Sequence, residues 1–124
     1  MKITRFEDIE SWKKGRELVK SIYTITRNDV FKKDYGLKDQ IQRASISIIS
    51  NIAEGFDSAT NKSFINFLNY SYRSASEVQS LLYIASDLNY ISSEQFNSLY
   101  QQSTEIKKII GGFIKYLKRS KSFS

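Results

Sequence analysis

The most distinctive chemistry of this sequence is a run of positive charge near its C-terminus. After Glu105 the chain carries six cationic residues and no acidic residue: Lys107, Lys108, Lys115, Lys118, Arg119 and Lys121. Cationic side chains that neutralise phosphates release the counterions condensed on a nucleic acid, which gives sequence-independent affinity. The run therefore predicts a phosphate-binding surface, with Lys62 and Arg73 as weaker candidates elsewhere. The alternative interpretation is a solvated face that keeps the protein soluble.

The side chains that most enzymes use are missing. The 124 residues include no His and no Cys, so the chain lacks the usual acid–base group at neutral pH, a thiol nucleophile and the commonest metal ligands. Ser45, Ser47 and Ser50 have no nearby group of the kind that activates a serine. We therefore expect a protein that is not an enzyme and that binds no metal or cofactor.

Composition indicates one folded domain that covers residues 1–124. Hydrophobic residues make up 40% of the chain, and Lys and Arg outnumber Asp and Glu by 19 to 13, a net charge of +6. This is enough apolar material for a core. No apolar run approaches the roughly 20 residues that span a bilayer, and the N-terminus lacks the apolar stretch of a signal peptide. We expect a cytoplasmic protein that does not contact a membrane.

The spacing of apolar residues predicts an all-α protein. The chain has no Pro, and apolar residues recur at intervals of three and four, as on one face of an α-helix. Four such segments cover about residues 8–27, 37–56, 61–88 and 93–119. Four amphipathic helices with short connections predict an antiparallel up-down-up-down four-helix bundle.

The second predicted helix is apolar on two faces. One row consists of Leu37, Ile41, Ala44, Ile48, Ile52 and Phe56, and a second face carries Ile46, Ile49 and Ala53. A helix that is apolar on two faces needs two surfaces to cover it. The bundle itself covers one face, so the second face predicts contact with another copy of the chain, that is, a homo-oligomer.

The fourth predicted helix begins with a capping signal and contains an unusual pair of glycines. Ser92 and Gln95 have the spacing of a capping box. Gly111 and Gly112 interrupt an otherwise regular apolar stripe, and each costs about 1 kcal/mol relative to Ala inside a helix. We expect another helix to pack unusually close at this pair, with a bend in the helix as the alternative.

Two arginines and several tyrosines lie within the predicted helices. Arg43 and Arg73 adjoin small residues, and an arginine in such a place pairs with a buried carboxylate or points into an oligomer channel. Glu54 and Glu77 are the candidate partners. Tyrosines stack on nucleobases or lie at the rim of a core with the hydroxyl in water, and we expect the second arrangement for Tyr70, Tyr72, Tyr83 and Tyr90.

Several motifs together resemble one protein family. They are Phe6-Glu7-Asp8 followed by Trp12-Lys13, Tyr35-Gly36-Leu37, Gln40-Ile41-Gln42-Arg43-Ala44, Ser47-Ile48-Ile49-Ser50-Asn51-Ile52-Ala53-Glu54-Gly55-Phe56, and Phe64-Ile65-Asn66-Phe67-Leu68 with Glu77. The chain resembles, over nearly its whole length, the four-helix-bundle proteins encoded in intervening sequences of 23S ribosomal RNA genes. The accessory variability determinant of diversity-generating retroelements belongs to the same family.

The resemblance implies a homopentamer of four-helix bundles with a basic surface and no established enzymatic activity. In one branch of the family it implies binding to nucleic acid or to a reverse transcriptase. Where this family often has Pro, the present chain has Ile49, so we expect its second helix to be straighter. We predict salt-sensitive binding to RNA or an RNA–DNA hybrid. The alternative is a scaffold that docks a protein such as a reverse transcriptase, with the basic surface serving solubility.

Overall fold

The structure, a computed structural model, describes residues 3–120. It contains four α-helices, α1 (Glu10–Ile25), α2 (Tyr35–Phe56), α3 (Asn61–Asp87) and α4 (Ser93–Arg119). Short 3-10 helices at Phe6–Asp8 and Phe31–Lys33 precede α1 and α2. Residues 3–120 contain no β-strand. The predicted all-α fold with four helices is confirmed.

The last three helices each begin at a residue whose side chain caps them. Asp34 accepts a hydrogen bond from the first turn of α2 at 3.1 Å, and Thr60 accepts one from the first turn of α3 at 3.0 Å. Ser92 Oγ accepts from the backbone N–H of Gln95 at 3.0 Å, and the Gln95 side chain accepts from the backbone N–H of Ser92 at 2.8 Å. The predicted capping box of α4 is therefore confirmed. Such a cap is worth about 1 kcal/mol because it satisfies N–H groups that the helix leaves free.

The core consists of the apolar stripes that face one another between the helices. On α2 the residues Leu37, Ile41, Ala44, Ile48 and Ile52 are buried. On α4 the buried residues are Leu99, Ser103, Ile106, Ile110, Ile114 and Leu117. Helix α1 packs mainly against α2 and α4, and α3 packs against the same two helices. As a result α4 borders surface grooves on two sides, with α1 on one side and α3 on the other.

Helices α2 and α3 approach each other closely because small residues line their contact. A Cβ atom on Gly55 would lie 2.7 Å from Phe67 Cβ and 2.8 Å from Phe64 Cδ1, which is too close for any side chain. The Ser71 hydroxyl, which is fully buried, donates a hydrogen bond to the backbone oxygen of Ile48 at 2.7 Å. Gly55 is therefore required by packing.

The two glycines of α4 have no comparable neighbour. A Cβ atom on Gly111 or Gly112 would meet nothing within 4 Å, and α4 continues through both residues. The predicted close packing at this pair is wrong. The reason is geometric, since Ile110, Ile114 and Leu117 are the buried residues of this segment and the glycines lie outside the stripe that they form.

Helix α2 runs from Tyr35 to Phe56 without interruption at Ile49. An isoleucine keeps the backbone hydrogen bond that a proline would remove.

None of the four described helices has an apolar stretch of membrane-spanning length.

Candidate nucleic-acid interface

Helices α3 and α4 border an open groove that gathers three of the predicted phosphate-binding lysines. The groove has a volume of about 530 Å³. We call it the basic groove. It is lined by Tyr72, Gln79, Tyr100, Thr104, Lys107, Lys108, Gly111, Gly112 and Lys115. Among residues 3–120, no acidic residue lines it. The three ammonium groups are therefore not neutralised by a carboxylate within the groove.

Lys107 is held in the basic groove by two side chains of α3. Its ammonium nitrogen donates a hydrogen bond to Gln79 Oε1 at 3.1 Å. The same nitrogen lies 5.0 Å from the centre of the Tyr72 ring, within the range of a cation–π interaction. A lysine ammonium has three N–H donors, so Lys107 is able to donate to an incoming acceptor as well. The Lys107 charge is thus positioned before any ligand arrives.

Gln79 is itself fixed by α4. Its side chain is only 7% exposed, and its amide nitrogen donates to Thr104 Oγ1 at 2.9 Å and to the backbone oxygen of Tyr100 at 3.3 Å. These bonds leave Oε1 free to accept from Lys107. Because buried amides rarely stay unpaired, the network sets the orientation of Gln79 and through it the position of Lys107.

Lys108, Lys115, Gly111 and Gly112 complete the basic groove along α4. Both lysines are exposed and neither forms an ion pair with another residue in the 3–120 range. The space above both glycines is open. Because glycine has no side chain, a ligand is able to approach the backbone of α4 here, between the lysines, more closely than it could at any other residue type.

The remaining predicted cations lie outside the basic groove. Lys62 and Lys118 line a second groove, of about 410 Å³, at the end of the bundle where α3 begins and α4 ends. Arg119 is exposed at the last residue of α4. Arg73 is exposed on α3, with its guanidinium carbon 5.8 Å from the centre of the Tyr70 ring. The seven predicted cations therefore form a basic groove, a basic end and one separate position, Arg73.

Residues 7–112 match the family model described as "23S rRNA-intervening sequence protein". The chain belongs to this family. The match covers α1, α2, α3 and most of α4, and therefore most of the basic groove. The resemblance inferred from the motifs is confirmed.

A solved relative has the same fold. The chain is similar to a protein of unknown function from the S23 ribosomal protein family of Bacteroides thetaiotaomicron, with 31% sequence identity and a TM-score of 0.78. The similarity covers 85% of this chain and 98% of the Bacteroides chain. No curated protein matches this chain.

In this member of the intervening-sequence family, the motif at residues 47–56 lies where α2 meets α3. The Ser74 hydroxyl of α3 donates to Ser47 Oγ at 2.8 Å, and Asn51 donates to the backbone oxygen of Ser47 at 2.8 Å. Gly55, in the same motif, permits the close helix contact described above. The motif therefore has a packing role in this chain.

The second face of α2, predicted as the oligomer interface, is only partly open. Ile46 is 38% exposed, and Ile49 and Ala53 are half-buried. A Cβ atom on Gly15 of α1 would lie 2.6 Å from Ile49 Cγ2, so α1 already covers part of the Ile49 side chain. Ile46 is the member of this face with the most surface available to a second copy.

The predicted pairing of arginine with buried glutamate is not formed within the chain. Arg43, Glu54 and Glu77 are all exposed, and no ion pair within residues 3–120 joins Arg43 or Arg73 to either glutamate. Their positions off the apolar rows place these side chains in water, where they keep their hydration without a partner.

Sequence reasoning did not identify Gln79, Tyr100 and Thr104 as functional, and it assigned Tyr72 only to the rim of the core. Their role is to position Lys107, and it depends on a contact between α3 and α4 across 28 residues of sequence. One signal was available, since Gln79 adjoins the buried Val78 and a glutamine at such a place needs partners. The partners themselves become visible only in the folded chain.

Proposed function

We propose that this protein is a non-catalytic, salt-sensitive nucleic-acid-binding protein of the cytoplasm, with structured RNA or an RNA–DNA hybrid as its ligand. The observation that carries the proposal is the basic groove, where three lysines converge and no residue of the described lining is acidic. The absence of His and Cys from the sequence supports a binding role without catalysis.

In the proposed complex, phosphates of the ligand lie along α4. Lys107, Lys108 and Lys115 each bind a phosphate oxygen, and a phosphate between them approaches the backbone at Gly111 and Gly112. Phosphate contacts fix the position of a nucleic acid without reading its sequence. We therefore expect low sequence specificity.

The proposal includes a homo-oligomer, a pentamer of antiparallel up-down-up-down bundles. The exposed part of Ile46, together with Ile49 and Ala53, forms the contact between copies. Five copies with a net charge of +6 each give a formal 5 × 6 = +30, which attracts a polyanion over a longer range than one chain does. Replacing Ile46 by Glu should yield monomers, measured as mass by light scattering, and an unchanged mass would refute this interface.

A salt titration tests the proposed function. Nuclease-treated protein is titrated with a structured RNA and a length-matched duplex DNA at about 50 and about 200 mM salt. If each lysine of the basic groove neutralises one phosphate, affinity falls about 40-fold between these salt concentrations. Absence of binding to both ligands at the lower salt would contradict the proposal and favour the protein scaffold, whose partner would then be sought by pull-down.

A further inference from the structure

An aromatic pocket lies at the end of the bundle, next to Lys62 and Lys118. It has a volume of about 390 Å³, and its lining comes from Ile3, the end of α2, the α2–α3 connection, the start of α3 and the end of α4. The lining includes Phe56, Ala59, Asn61, Phe64, Phe113 and Tyr116. We call it the aromatic pocket. No part of the basic groove contributes to it.

Four rings surround much of the aromatic pocket. The Phe64 ring lies edge-to-face with Phe56, at 6.3 Å between centres, and with Phe113, at 5.3 Å. The centre of the Tyr116 ring lies 6.3 Å from that of the Phe113 ring, and the two ring planes form an angle of 35°. Tyr116 is 44% exposed, so it forms the outer wall. Such a surface suits a flat aromatic ligand, because aromatic side chains stack on the face of any nucleobase.

One residue that lines the pocket has a buried polar atom without a hydrogen-bond partner. Asn61 is 7% exposed, and its amide nitrogen donates to the backbone oxygen of Leu117 at 2.7 Å. Its Oδ1 atom is enclosed and accepts no hydrogen bond. An unsatisfied buried acceptor is unfavourable, so a ligand that donates to it gains affinity. Because this atom is enclosed, a donor reaches it only when a neighbouring side chain moves.

Positive charge adjoins the same asparagine. Asn61 and Leu117 also line the second groove, which carries Lys62 and Lys118. A ligand in the aromatic pocket therefore lies next to a groove with two cations that suit phosphates of the same strand. An aromatic wall, one hydrogen-bond acceptor and neighbouring cations together match a nucleotide better than an apolar peptide.

We propose that the aromatic pocket binds an unpaired nucleobase that carries an amino group, such as a bulged adenine. The base stacks against Tyr116 and Phe113, and its amino group donates to Asn61 Oδ1. Lys62 and Lys118 bind the flanking phosphates. This inference rests on the proposed nucleic-acid binding and adds a preference for RNA with an unpaired base over a perfect duplex.

The test compares hairpin RNAs that differ at one position: a bulged adenosine, a bulged purine riboside without the amino group, an abasic bulge, and no bulge. The protein should bind the adenosine bulge about tenfold more tightly than the paired or abasic hairpins. The purine riboside should lose roughly fivefold of this preference because it lacks the donor.

Two variants assign the preference to the aromatic pocket. Tyr116→Ala removes its outer wall, and Ala59→Phe fills it from an exposed position. Each should abolish the preference for the bulge while retaining the affinity for the paired hairpin. Tyr35→Ala, which removes a tyrosine that is 70% exposed at the start of α2, is the matched control and should retain the preference.

The outcomes separate this inference from the proposed function. Equal, salt-sensitive affinity for all hairpins would overturn the nucleobase site and leave nucleic-acid binding intact. Absence of binding to every hairpin would overturn both. A bulge preference unchanged in Ala59→Phe, together with a loss of oligomer mass in that variant, would assign the pocket to a contact between copies of the chain.

Discussion

Two of the grooves that border α4, one on each side of this helix, differ in electrostatic character. On the α3 side, the basic groove presents Lys107, Lys108 and Lys115 without a lining carboxylate from residues 3–120. On the α1 side, the groove is lined by residues of both signs, among them Glu17, Lys20 and Glu94. Charges of opposite sign within a groove cancel one another at the distance of an approaching polyanion.

The α1 side also contains an ion pair that spans the helices. Lys14 Nζ lies 3.0 Å from a carboxylate oxygen of Glu105 and 3.8 Å from one of Glu10. The hydrogen bond to Glu105, together with its negative charge, raises the pKa of Lys14 above its ordinary value of 10.5. Both side chains are substantially exposed, so the pair contributes little to stability.

The difference between the grooves shows where the positive charge of α4 is not neutralised by an ion pair. Lys14 and Lys20 on the α1 side form ion pairs within the chain, whereas the lysines of the basic groove form none with residues 3–120. Lys107 is moreover held in place by a neutral amide and a tyrosine ring. A cation that is positioned but not neutralised is suited to an anionic ligand.

Charge reversal in the basic groove should have the largest effect. The triple variant Lys107→Glu, Lys108→Glu, Lys115→Glu should lose at least about 100-fold in RNA affinity at physiological salt, because attraction to phosphates becomes repulsion. Affinity is measured by fluorescence anisotropy, and circular dichroism checks that the helices remain.

The matched control reverses three exposed cations of α1. Lys13→Glu, Arg16→Glu, Lys20→Glu changes the net charge by the same amount, from +6 to +6 − 6 = 0. We expect it to lose far less affinity than the groove variant. Equal losses in the two triple variants would mean that net charge alone drives binding and that the basic groove is not the site.

Substitution of the α4 glycines should change stability and binding in opposite directions. Gly111→Ala and Gly112→Ala meet no atom within 4 Å, so each should stabilise the chain by up to about 1 kcal/mol. The added methyl groups should weaken RNA binding several-fold because they keep phosphates from the backbone. Thermal unfolding and anisotropy on the same samples measure both effects.

Gly55→Ala is the contrasting substitution for stability. Its methyl group would overlap Phe67 and Phe64 at the α2–α3 contact, so we expect destabilisation by about 1–3 kcal/mol.

If the α4 alanine variants bind RNA as tightly as the unmodified chain, the proposed approach of phosphate to the backbone at Gly111 and Gly112 is wrong.

The smallest effect is expected from Glu105→Gln, which removes the ion pair on the α1 side. The raised pKa of Lys14 means that the pair stabilises the folded chain fully below the ordinary lysine pKa, and that this contribution is lost as pH rises through the raised value. The variant should therefore melt slightly lower than the unmodified chain at neutral pH, and the difference should close in strong alkali. RNA affinity should stay within about twofold, and a large loss would place the ligand on the α1 side.

The helices and the core were predictable because they depend on local spacing. Leu37, Ile41, Ala44, Ile48 and Ile52 recur every three or four residues, and all are buried. The capping box at Ser92 likewise needs only a residue three positions later. Periodicity and capping act within a few turns of one helix, so a single sequence contains them.

The site was only partly predictable, because it depends on contacts between helices. The lysines of α4 stand out in the sequence, but the role of Gln79 requires knowing that α3 lies beside α4. The error at Gly111 and Gly112 was avoidable, since the apolar stripe already places both outside the core. The predicted ion pair of Arg43 was wrong for the same reason. A charged side chain that lies off the apolar stripe is in water, where an ion pair adds little stability.

Lysine footprinting tests the central claim most directly. The protein is treated with an amine-acylating reagent with and without a structured RNA, and the modified lysines are identified by mass spectrometry. We predict that RNA protects Lys107, Lys108 and Lys115, while Lys13 and Lys20 of α1 react equally in both samples. Protection of the α1 lysines with unchanged reactivity in the basic groove would contradict the account.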